Sequence, residues 1–454
     1  MRRHLITGRY GPDDKVKIPA ASDEVATSLR LVASNKRLDY GIGYALEQLA
    51  TLGVYPSEIG LDLLVLAAHV HAADTRISRQ TESQDSWTRE IRLVVPVSDV
   101  PRWTNATALL VRMLNFLTGD RWTIGFRARP KRFASIVKPR PALLKAPSYT
   151  DLSLFSGGLD SLIGAIDLLE SSRVPLLVSH AGEGATSDAQ NTLYAGLRKH
   201  YSKVSFDRLR IWMSFPKGLV AKSGSEDTTR GRSFLFLASG IFAGTGLVGD
   251  FKLAVPENGL IALNVPLDPL RLGSLSTRTT HPFYIARWND LVQALGIPAR
   301  LENPYWDKTK GEMIVDCRKR PVLESLLVDS LSCSSPTKAR WQGRGIEHCG
   351  YCVPCLIRRA AIRQGLGTDP TSYTIADLGK RVLDTGKAEG QQVRSFQVAT
   401  ERLHRRPNLA TLLIHKPGPL TDQSPDEIRA LAEVYRRGIE EVALLLANVR
   451  SQPI

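Results

Sequence analysis

A short glycine loop, SGGLDS at residues 156–161, constrains the fold of this chain more than any other segment. It directly follows the apolar stretch LSLF, which is typical of a strand, and it opens the stretch LIGAIDLLE, which is typical of a helix. Two glycines let a backbone turn tightly and bring its N–H groups close to an anion. A helix N-terminus adds unpaired donors and a positive dipole end. The segment therefore predicts a phosphate-binding loop at a strand-to-helix junction.

The side chains of the loop suit the same chemistry. Gly157 and Gly158 provide the turn, and the hydroxyls of Ser156 and Ser161 can reach phosphate oxygens. Asp160 can hold Mg²⁺ or orient the loop. No lysine follows the glycines, so the loop differs from the GxxxxGK[ST] loop of common NTPases. Five specified residues in this context argue against an ordinary strand-to-helix turn.

Strands and helices alternate from residue 151 onward. The strand-like segments LSLF, VPLLVS and RLRIWM each precede a helix-like segment, which predicts a doubly wound, mostly parallel sheet of the α/β class. Residues 20–76 are predicted to be mainly helical. They contain His69, His71 and Asp74, which we interpret as structural because histidines two positions apart lie on different faces of a helix. A small strand–helix–strand module follows.

These patterns divide the chain into four regions. We expect an N-terminal α/β domain at 1–126, a basic linker at 127–147, a core α/β domain at 148–365 and a helical C-terminal region at 366–454. A solvated linker is preferred to a nucleic-acid contact for the second region. Four prolines interrupt it, and its basic residues are Arg127, Arg129, Lys131, Arg132, Lys138, Arg140 and Lys145.

Composition excludes several classes of protein. The chain has 454 residues, with 60 basic and 45 acidic side chains and a formal charge of +15. Its 43% hydrophobic content excludes global disorder, and the lack of a run of about 18 apolar residues argues against a membrane span. Five cysteines are too few for a disulfide scaffold, which favours a cytoplasmic location. The charge suits RNA, anionic nucleotides or an acidic partner equally.

Four of the five cysteines form a cluster with metal-ligand spacing. They are Cys333, Cys349, Cys352 and Cys355, within an element at 333–355. Four thiolates predict a tetrahedral zinc site with no open position, and therefore a structural one. An iron–sulfur cluster is the alternative, and His348 could replace one cysteine. Cys317 is interpreted as a free buried thiol.

SGGLDS is the signature of the PP-loop ATP pyrophosphatase superfamily, which has an adenine nucleotide alpha hydrolase-like fold. Together with SC…HCGYCVPCLIRRAA, it makes residues 150–365 resemble the QueC (7-cyano-7-deazaguanine synthase) family. The resemblance implies a ligase-type enzyme that uses ATP and Mg²⁺, cleaves ATP between its α- and β-phosphates and adenylates a substrate oxygen.

The resemblance also implies roles for individual residues. Arg232 in RGRSFL would contact ATP or its intermediate, and Lys310 in WDKTKGEMI would pair with phosphate or adenylate, whereas Lys308 is better explained as a surface lysine. The family's deazaguanine-holding segment is replaced by PENG. There Glu257 and Asn258 could bind a guanine-like edge, although a helix cap or turn explains Asn258 equally well.

The chain is about twice as long as a QueC core, and the basic pair of the family's YGQRH-like segment is lost in HAGEGAT. In its length it resembles the QueC-like proteins of anti-phage defence, the QatC branch of the Qat system and the QueC-like members of type IV CBASS operons. That branch implies a 7-deazaguanine-type substrate joined to the N terminus of an operon-encoded partner protein. Three alternatives stay open: queuosine-type biosynthesis, a tRNA-modifying PP-loop enzyme and a non-catalytic assembly subunit.

Overall fold

The computed structural model of the chain describes residues 2–32, 37–83, 85–141, 149–182, 184–221, 223–228, 230–268 and 278–454. Residues 142–147 of the predicted linker, with Lys145 and Pro147, lie outside the described residues, as does Glu183 of HAGEGAT. Within these described ranges, no helix is both long enough and apolar enough to cross a membrane.

The first sheet has four parallel strands in the order β2-β1-β3-β4: β1 (Arg3–Arg9), β2 (Glu24–Arg30), β3 (Glu90–Val97) and β4 (Arg121–Ala128). Its helices are α1 (Ile42–Thr51), α2 (Glu58–Arg76), α3 (Arg79–Glu82), α4 (Val100–Asn105) and α5 (Thr107–Thr118), and a 3-10 turn follows at Lys131–Phe133. The prediction that residues 20–76 are mainly helical is wrong for β2. This strand lies at the sheet edge and buries Thr27 and Leu29 only, so its apolar alternation is weak.

The second sheet has five parallel strands in the order β7-β6-β5-β8-β9: β5 (Asp151–Leu154), β6 (Pro175–His180), β7 (Asp207–Ile211), β8 (Phe251–Ala254) and β9 (Ala299–Glu302). The segments between these strands contain α6 (Leu159–Glu170), α7 (Gly184–His200), α8 (Arg232–Gly244), α9 (Gly259–Leu263) and α10 (Pro282–Ala294). The predicted mixed α/β architecture with parallel sheets is confirmed. The strand order reverses between β5 and β8, and open parallel sheets bind ligands outside the carboxyl ends of their strands at such a point.

The rest of the chain is mainly helical. Its helices are α11 (Lys310–Val315), α12 (Arg320–Leu326), α13 (Val353–Leu366), α14 (Ala388–Arg405), α15 (Leu409–Leu413) and α16 (Pro425–Leu446). Short 3-10 helices lie at Leu327–Asp329 and Lys338–Gln342, and β10 (Leu383–Asp384) pairs with β11 (Ser451–Gln452). Helix α16 begins with a capping box formed by Ser424 and Glu427, as the segment SPDE predicts.

Helix α2 joins the two sheets into one core. Every residue from Gly60 to Thr75 is buried, as expected for a helix that is largely apolar on all sides. One side of α2 packs on β1 and β3, and the other packs on α8, which itself lies against β5 and β6. Asp74 in α2 accepts a hydrogen bond of 2.7 Å from the backbone N–H of Gly231, just before α8. The N-terminal region therefore forms a continuous core with the second sheet.

Two arginines of the predicted linker belong to this N-terminal fold. Strand β4 extends to Ala128, and Arg127 pairs with Asp14 at 2.5 Å. Arg129 is buried and pairs with Glu58 and Asp62. Their charges are neutralised inside the protein, so this segment presents less positive charge to a partner than its sequence suggests.

A buried ion-pair network lies beside the α2–α8 contact. Arg89 is fully buried, and its Nη2 lies 2.6 Å from Asp120 and 3.2 Å from Asp74. Arg79 also reaches Asp120 at 2.6 Å, and its backbone N–H donates to Glu226 at 2.6 Å. Burial lowers the pKa of Arg79 to about 10. Each charge in this network depends on its partners, because an unpaired charge in the interior is costly.

Replacing Asp120 by Asn is expected to lower the free energy of unfolding by about 3–5 kcal/mol, because two buried guanidinium groups lose a carboxylate. Urea denaturation followed by circular dichroism measures the change. The matched control is Arg121→Gln, next in sequence, which removes a pair with Glu90 in which the arginine is 77% exposed, and it should change stability little. Equal losses in the two variants would contradict the assigned role of the network.

Candidate functional site

The loop at residues 156–161 follows β5, and α6 begins inside it. Gly157 has a φ of 84°, in the left-handed region that favours glycine. A Cβ at this position would lie 3.1 Å from Cγ of Gln190 in α7. Gly158 caps α6 without a side chain, so the first N–H groups of the helix suit an anion.

Two serine hydroxyls border the turn. Ser156 is exposed, and its Oγ accepts the N–H of Gly158 at 3.3 Å. Ser161 is buried and donates to the carbonyl oxygen of Gly158 at 2.9 Å, and the two hydroxyl oxygens lie 3.2 Å apart. Ser156 is the exposed residue of the two and donates its hydroxyl to Ser161, whereas Ser161 supports the turn from inside.

Asp160 is buried, and protein partners engage both of its carboxylate oxygens. Oδ1 lies 2.8 Å from Nζ of Lys310, and Oδ2 accepts from the backbone N–H and the side-chain amide of Asn258 at 3.1 and 2.8 Å. Burial alone would raise the pKa of Asp160, but the Lys310 ammonium and these hydrogen bonds outweigh burial and hold it below its ordinary value. Asp160 therefore orients the loop as an ionised residue.

Glu257 lies beside this pair and keeps partial contact with solvent. Asn258 donates to Oε1 of Glu257 at 3.3 Å, and its own Oδ1 caps α9 by accepting the N–H of Ile261 at 3.1 Å. Burial and the adjacent Asp160 carboxylate raise the pKa of Glu257 well above its ordinary value. The amide of Asn258 is thus occupied by the cap and by the two carboxyl groups. Of the two residues expected to bind substrate, Asn258 is buried, whereas Glu257 is only partly buried.

The C-terminal helix α16 supports the segment that carries Lys310. Lys310 is the first residue of α11, which Thr309 and Glu312 cap with a capping box. Glu441 in α16 accepts from the Thr309 hydroxyl and, at 3.3 Å, from a backbone N–H of α11. Arg437 in α16 pairs with Glu312 at 2.6 Å. A region far from the loop in sequence therefore holds the ammonium group that neutralises Asp160.

Arg232 is the first residue of α8 and lies near the end of β6. Its guanidinium carbon lies 5.0 Å from the ring centroid of Phe236, and a Cβ on Gly182 would lie 3.0 Å from its Nη2. The rings of His180, which ends β6, and His71 in α2 are 5.6 Å apart. Burial lowers the pKa of both histidines to about 3. The positive charge here is therefore that of Arg232, beside two neutral imidazoles.

The four clustered cysteines converge as their spacing predicts. Their ligand atoms all lie within 4.8 Å of one another, with Sγ–Sγ distances of 3.8 Å between Cys349 and Cys355 and 4.0 Å between Cys333 and Cys352. Tetrahedral zinc with Zn–S bonds of about 2.3 Å needs sulfur atoms about 3.8 Å apart. The cluster could hold a metal ion such as zinc. His348 is engaged elsewhere, because its Nε2 accepts the N–H of Ser332 at 3.1 Å.

The cysteine element also contacts the glycine loop. The N–H of Leu331 donates to the carbonyl oxygen of Gly157 at 2.8 Å, and the hydroxyl of Ser332 accepts the N–H of Leu159 at 3.4 Å. Cys333 follows these two residues directly. A metal ion bound by the cysteines would therefore stiffen the segment that holds the loop.

Sequence reasoning missed three groups that build the site: Ser332, Glu441 and Gln190. The side-chain amide of Gln190 donates to the carbonyl oxygens of Ser156 and His180, each at 3.2 Å, and so links the ends of β5 and β6. These residues belong to no motif, and no local pattern marks them. Only the folded chain reveals them, because Ser332 and Gln190 contact the loop and Glu441 contacts α11.

No protein-family model matches the chain, and no curated protein is significantly similar to it. The features of the chain that bear on its function are therefore the loop, the Asp160–Lys310 pair and the cysteine cluster.

The cysteine cluster should bind about one zinc ion per chain. Metal analysis of the purified protein is expected to give this ratio, and Cys352→Ser should lose the metal. Hydrogen exchange at residues 156–161 should then become faster, because the contacts of Leu331 and Ser332 loosen. The control is Cys317→Ser, since Cys317 lies outside the cluster and burial raises the pKa of its thiol to about 12. A brown protein containing iron would instead support the iron–sulfur alternative.

Glu257 should make stability decrease with rising pH. The pKa of Glu257 is raised in the folded protein. Below the ordinary carboxyl pKa the group is protonated in both states and does not affect the free energy of unfolding. As pH rises through that value the unfolded chain ionises first, so the folded state loses stability relative to it. Glu257→Gln is therefore expected to gain stability relative to the parent between pH 4.5 and 7, and urea midpoints across this range measure the difference. The exposed Glu324→Gln serves as the control, and parallel pH profiles for Glu257→Gln and the parent would contradict the prediction.

Proposed function

We propose that the chain is a QueC-like PP-loop enzyme that uses ATP to activate a 7-deazaguanine-type substrate. It joins this substrate to the N terminus of a partner protein, in the manner that the long anti-phage branch implies. The observation that carries the proposal is the position of the SGGLDS loop. The loop lies where the strand order of the second sheet reverses, and α6 begins within it. The buried Asp160–Lys310 pair supports it.

Three features near the carboxyl ends of β5 and β6 support an ATP-cleaving site. The N-terminus of α6 offers backbone donors to an anion. Gly157 keeps the turn free of a side chain, and Arg232 supplies a positive charge at the neighbouring strand. Donors and charges fixed in advance stabilise the negative charge that develops when pyrophosphate leaves.

The reaction has two steps. A carboxylate oxygen of the substrate attacks the α-phosphorus of ATP, an O–P bond forms, and pyrophosphate leaves with the electron pair of the broken bond. The partner's amine then attacks the acyl carbon, a C–N bond forms, the C–O bond to AMP breaks, and the amine gives a proton to water. The products are an amide, AMP and pyrophosphate, with no change in oxidation state.

Mg²⁺ would be held mainly by the phosphate oxygens of ATP and by water, as this ion prefers. Both oxygens of Asp160 are engaged by Lys310 and Asn258, so Asp160 supports the loop from behind. Ser156 is exposed, and its hydroxyl would exchange its bond to Ser161 for one to a phosphate oxygen. Glu257 is the residue of the PENG segment that is only partly buried, and its carboxyl group would form hydrogen bonds with a guanine-like edge.

The direct test incubates the purified protein with ATP and a 7-carboxy-7-deazaguanine, with and without the partner encoded beside it. We expect AMP and pyrophosphate by chromatography and a mass increase on the partner by mass spectrometry. No AMP with any 7-deazaguanine would overturn the proposed substrate. AMP formed only with tRNA would favour the tRNA-modifying alternative.

Lys310→Met is expected to reduce AMP formation by about 100-fold or more, because the loop loses the charge that orients Asp160. The variant also leaves a buried carboxylate unpaired, so the double variant Asp160→Asn/Lys310→Met separates folding from function. It removes both charges and should recover stability without recovering activity. Lys308→Met is the matched control, since Lys308 pairs with Asp316 at the surface, and it should retain activity. Recovery of activity in the double variant would contradict a functional role for the pair.

A further inference from the structure

A cleft of about 510 Å³ lies where the N-terminal region meets the end of β7. Asp39, Tyr40, Tyr44 and Gln48 line it from one side, and Arg210 and Trp212 line it from the other. Neither the glycine loop nor the cysteine cluster contributes to its lining. The cleft is therefore a separate feature of the same carboxyl edge of the second sheet.

Two of the aromatic side chains that line the cleft are open to solvent. Tyr44 is 55% exposed and Trp212 is 58% exposed. Tryptophan, tyrosine and arginine are the residues that most often dominate the binding energy of protein interfaces. An exposed pair of this kind beside a cleft indicates a docking surface for a partner.

The two walls of the cleft are held together by backbone contacts. Gly41 has a φ of 84°, and a Cβ there would lie 1.8 Å from the carbonyl oxygen of Trp212. The side chain of Gln48 donates to the carbonyl oxygen of Arg210 at 2.8 Å and accepts its N–H at 3.3 Å. The cleft is thus preformed, so its walls lose little conformational entropy when a ligand binds.

The charges of the cleft favour a polypeptide over a nucleic acid. Among the described residues, its lining carries one carboxylate, Asp39, and one guanidinium, Arg210, whose Nη2 donates to Ser187. A surface that binds a phosphate backbone carries an excess of positive charge, whereas protein interfaces combine aromatic side chains with few, balanced charges. The lining matches the second description.

A row of rings, buried from Phe215 onward, links the cleft with the end of β6 inside the core. Ring centroids are 4.8 Å apart between Tyr40 and Phe215, 5.9 Å between Phe215 and His71, and 5.6 Å between His71 and His180. Gln190 then bonds the carbonyl oxygens of both His180 and Ser156. Two strand spacings separate the ends of β7 and β5, or about 10 Å, which about three extended residues can span.

We propose that this cleft docks the N-terminal segment of the partner polypeptide, and that a residue about three or four positions from the free amine packs against Trp212 and Tyr44. The inference rests on the proposed function, because it assigns the place from which the acceptor amine reaches the acyl adenylate. The bonds that form and break are those of the second step above. The cleft selects the acceptor, while the loop activates the substrate.

The probe is a display library of ten-residue peptides with free amino termini, selected on the full-length protein without ATP. We expect enriched peptides to share a large apolar residue at position three or four. Fluorescence anisotropy with these peptides should show binding that is at least about tenfold weaker for Trp212→Ala and Tyr44→Ala, with partial recovery in Trp212→Phe. The matched controls are Leu412→Ala and Leu444→Ala, which truncate residues 69% and 63% exposed elsewhere on the surface, and they should bind like the parent.

Three results would overturn the inference. The first is that enriched peptides bind Trp212→Ala as tightly as the parent, and the second is that no peptide is enriched while a single-stranded RNA binds in a Trp212-dependent way. The third is a parent dimer in light scattering that Trp212→Ala converts to a monomer. Urea midpoints verify that each variant is folded. Release of AMP by the parent protein is measured separately. Its absence together with Trp212-dependent peptide binding would refute the proposed reaction and leave the docking site standing.

Discussion

The burial of helix α2 between two parallel sheets is the constraint on which the rest of the structure depends. A helix with apolar residues on nearly every side is stable only where all of its sides are covered. Covering α2 brings the N-terminal sheet onto α8, and Asp74 then bonds the backbone N–H of Gly231 at the start of α8. Arg232 is the next residue. Helix α2 of the N-terminal region therefore helps to position the guanidinium of Arg232 at the carboxyl edge of the second sheet.

The buried charges of the site also depend on one another. Asp160 and Lys310 are each buried, and neither would be tolerated there alone. The position of Lys310 depends in turn on Glu441 in α16, and the position of the glycine loop depends on the segment before Cys333. Three distant parts of the chain therefore support the loop together, and a change in any of them would alter the surroundings of the Asp160 carboxylate.

Local sequence patterns predicted much of this arrangement. The strand–loop–helix context of SGGLDS, the parallel sheets and the convergence of four cysteines follow from the requirements of tight turns, of alternating elements and of metal ligands. Strand β2 was missed because an edge strand half exposed to solvent lacks a clear apolar period. The sequence places Arg127 and Arg129 in a solvated linker, because charge alone does not reveal that Asp14 and Asp62 neutralise them.

By itself the sequence determined the chemistry that needs only neighbouring residues: a loop that suits an anion, a thiolate set that suits zinc, and elements that form parallel sheets. The tertiary structure alone decided which buried charges meet, that His71 faces His180 across two regions, and that Tyr44 and Trp212 share a cleft. The physical reason is that glycine turns and closely spaced ligands are local requirements. The partner of a buried charge or ring is instead chosen by the packing of whole helices and sheets.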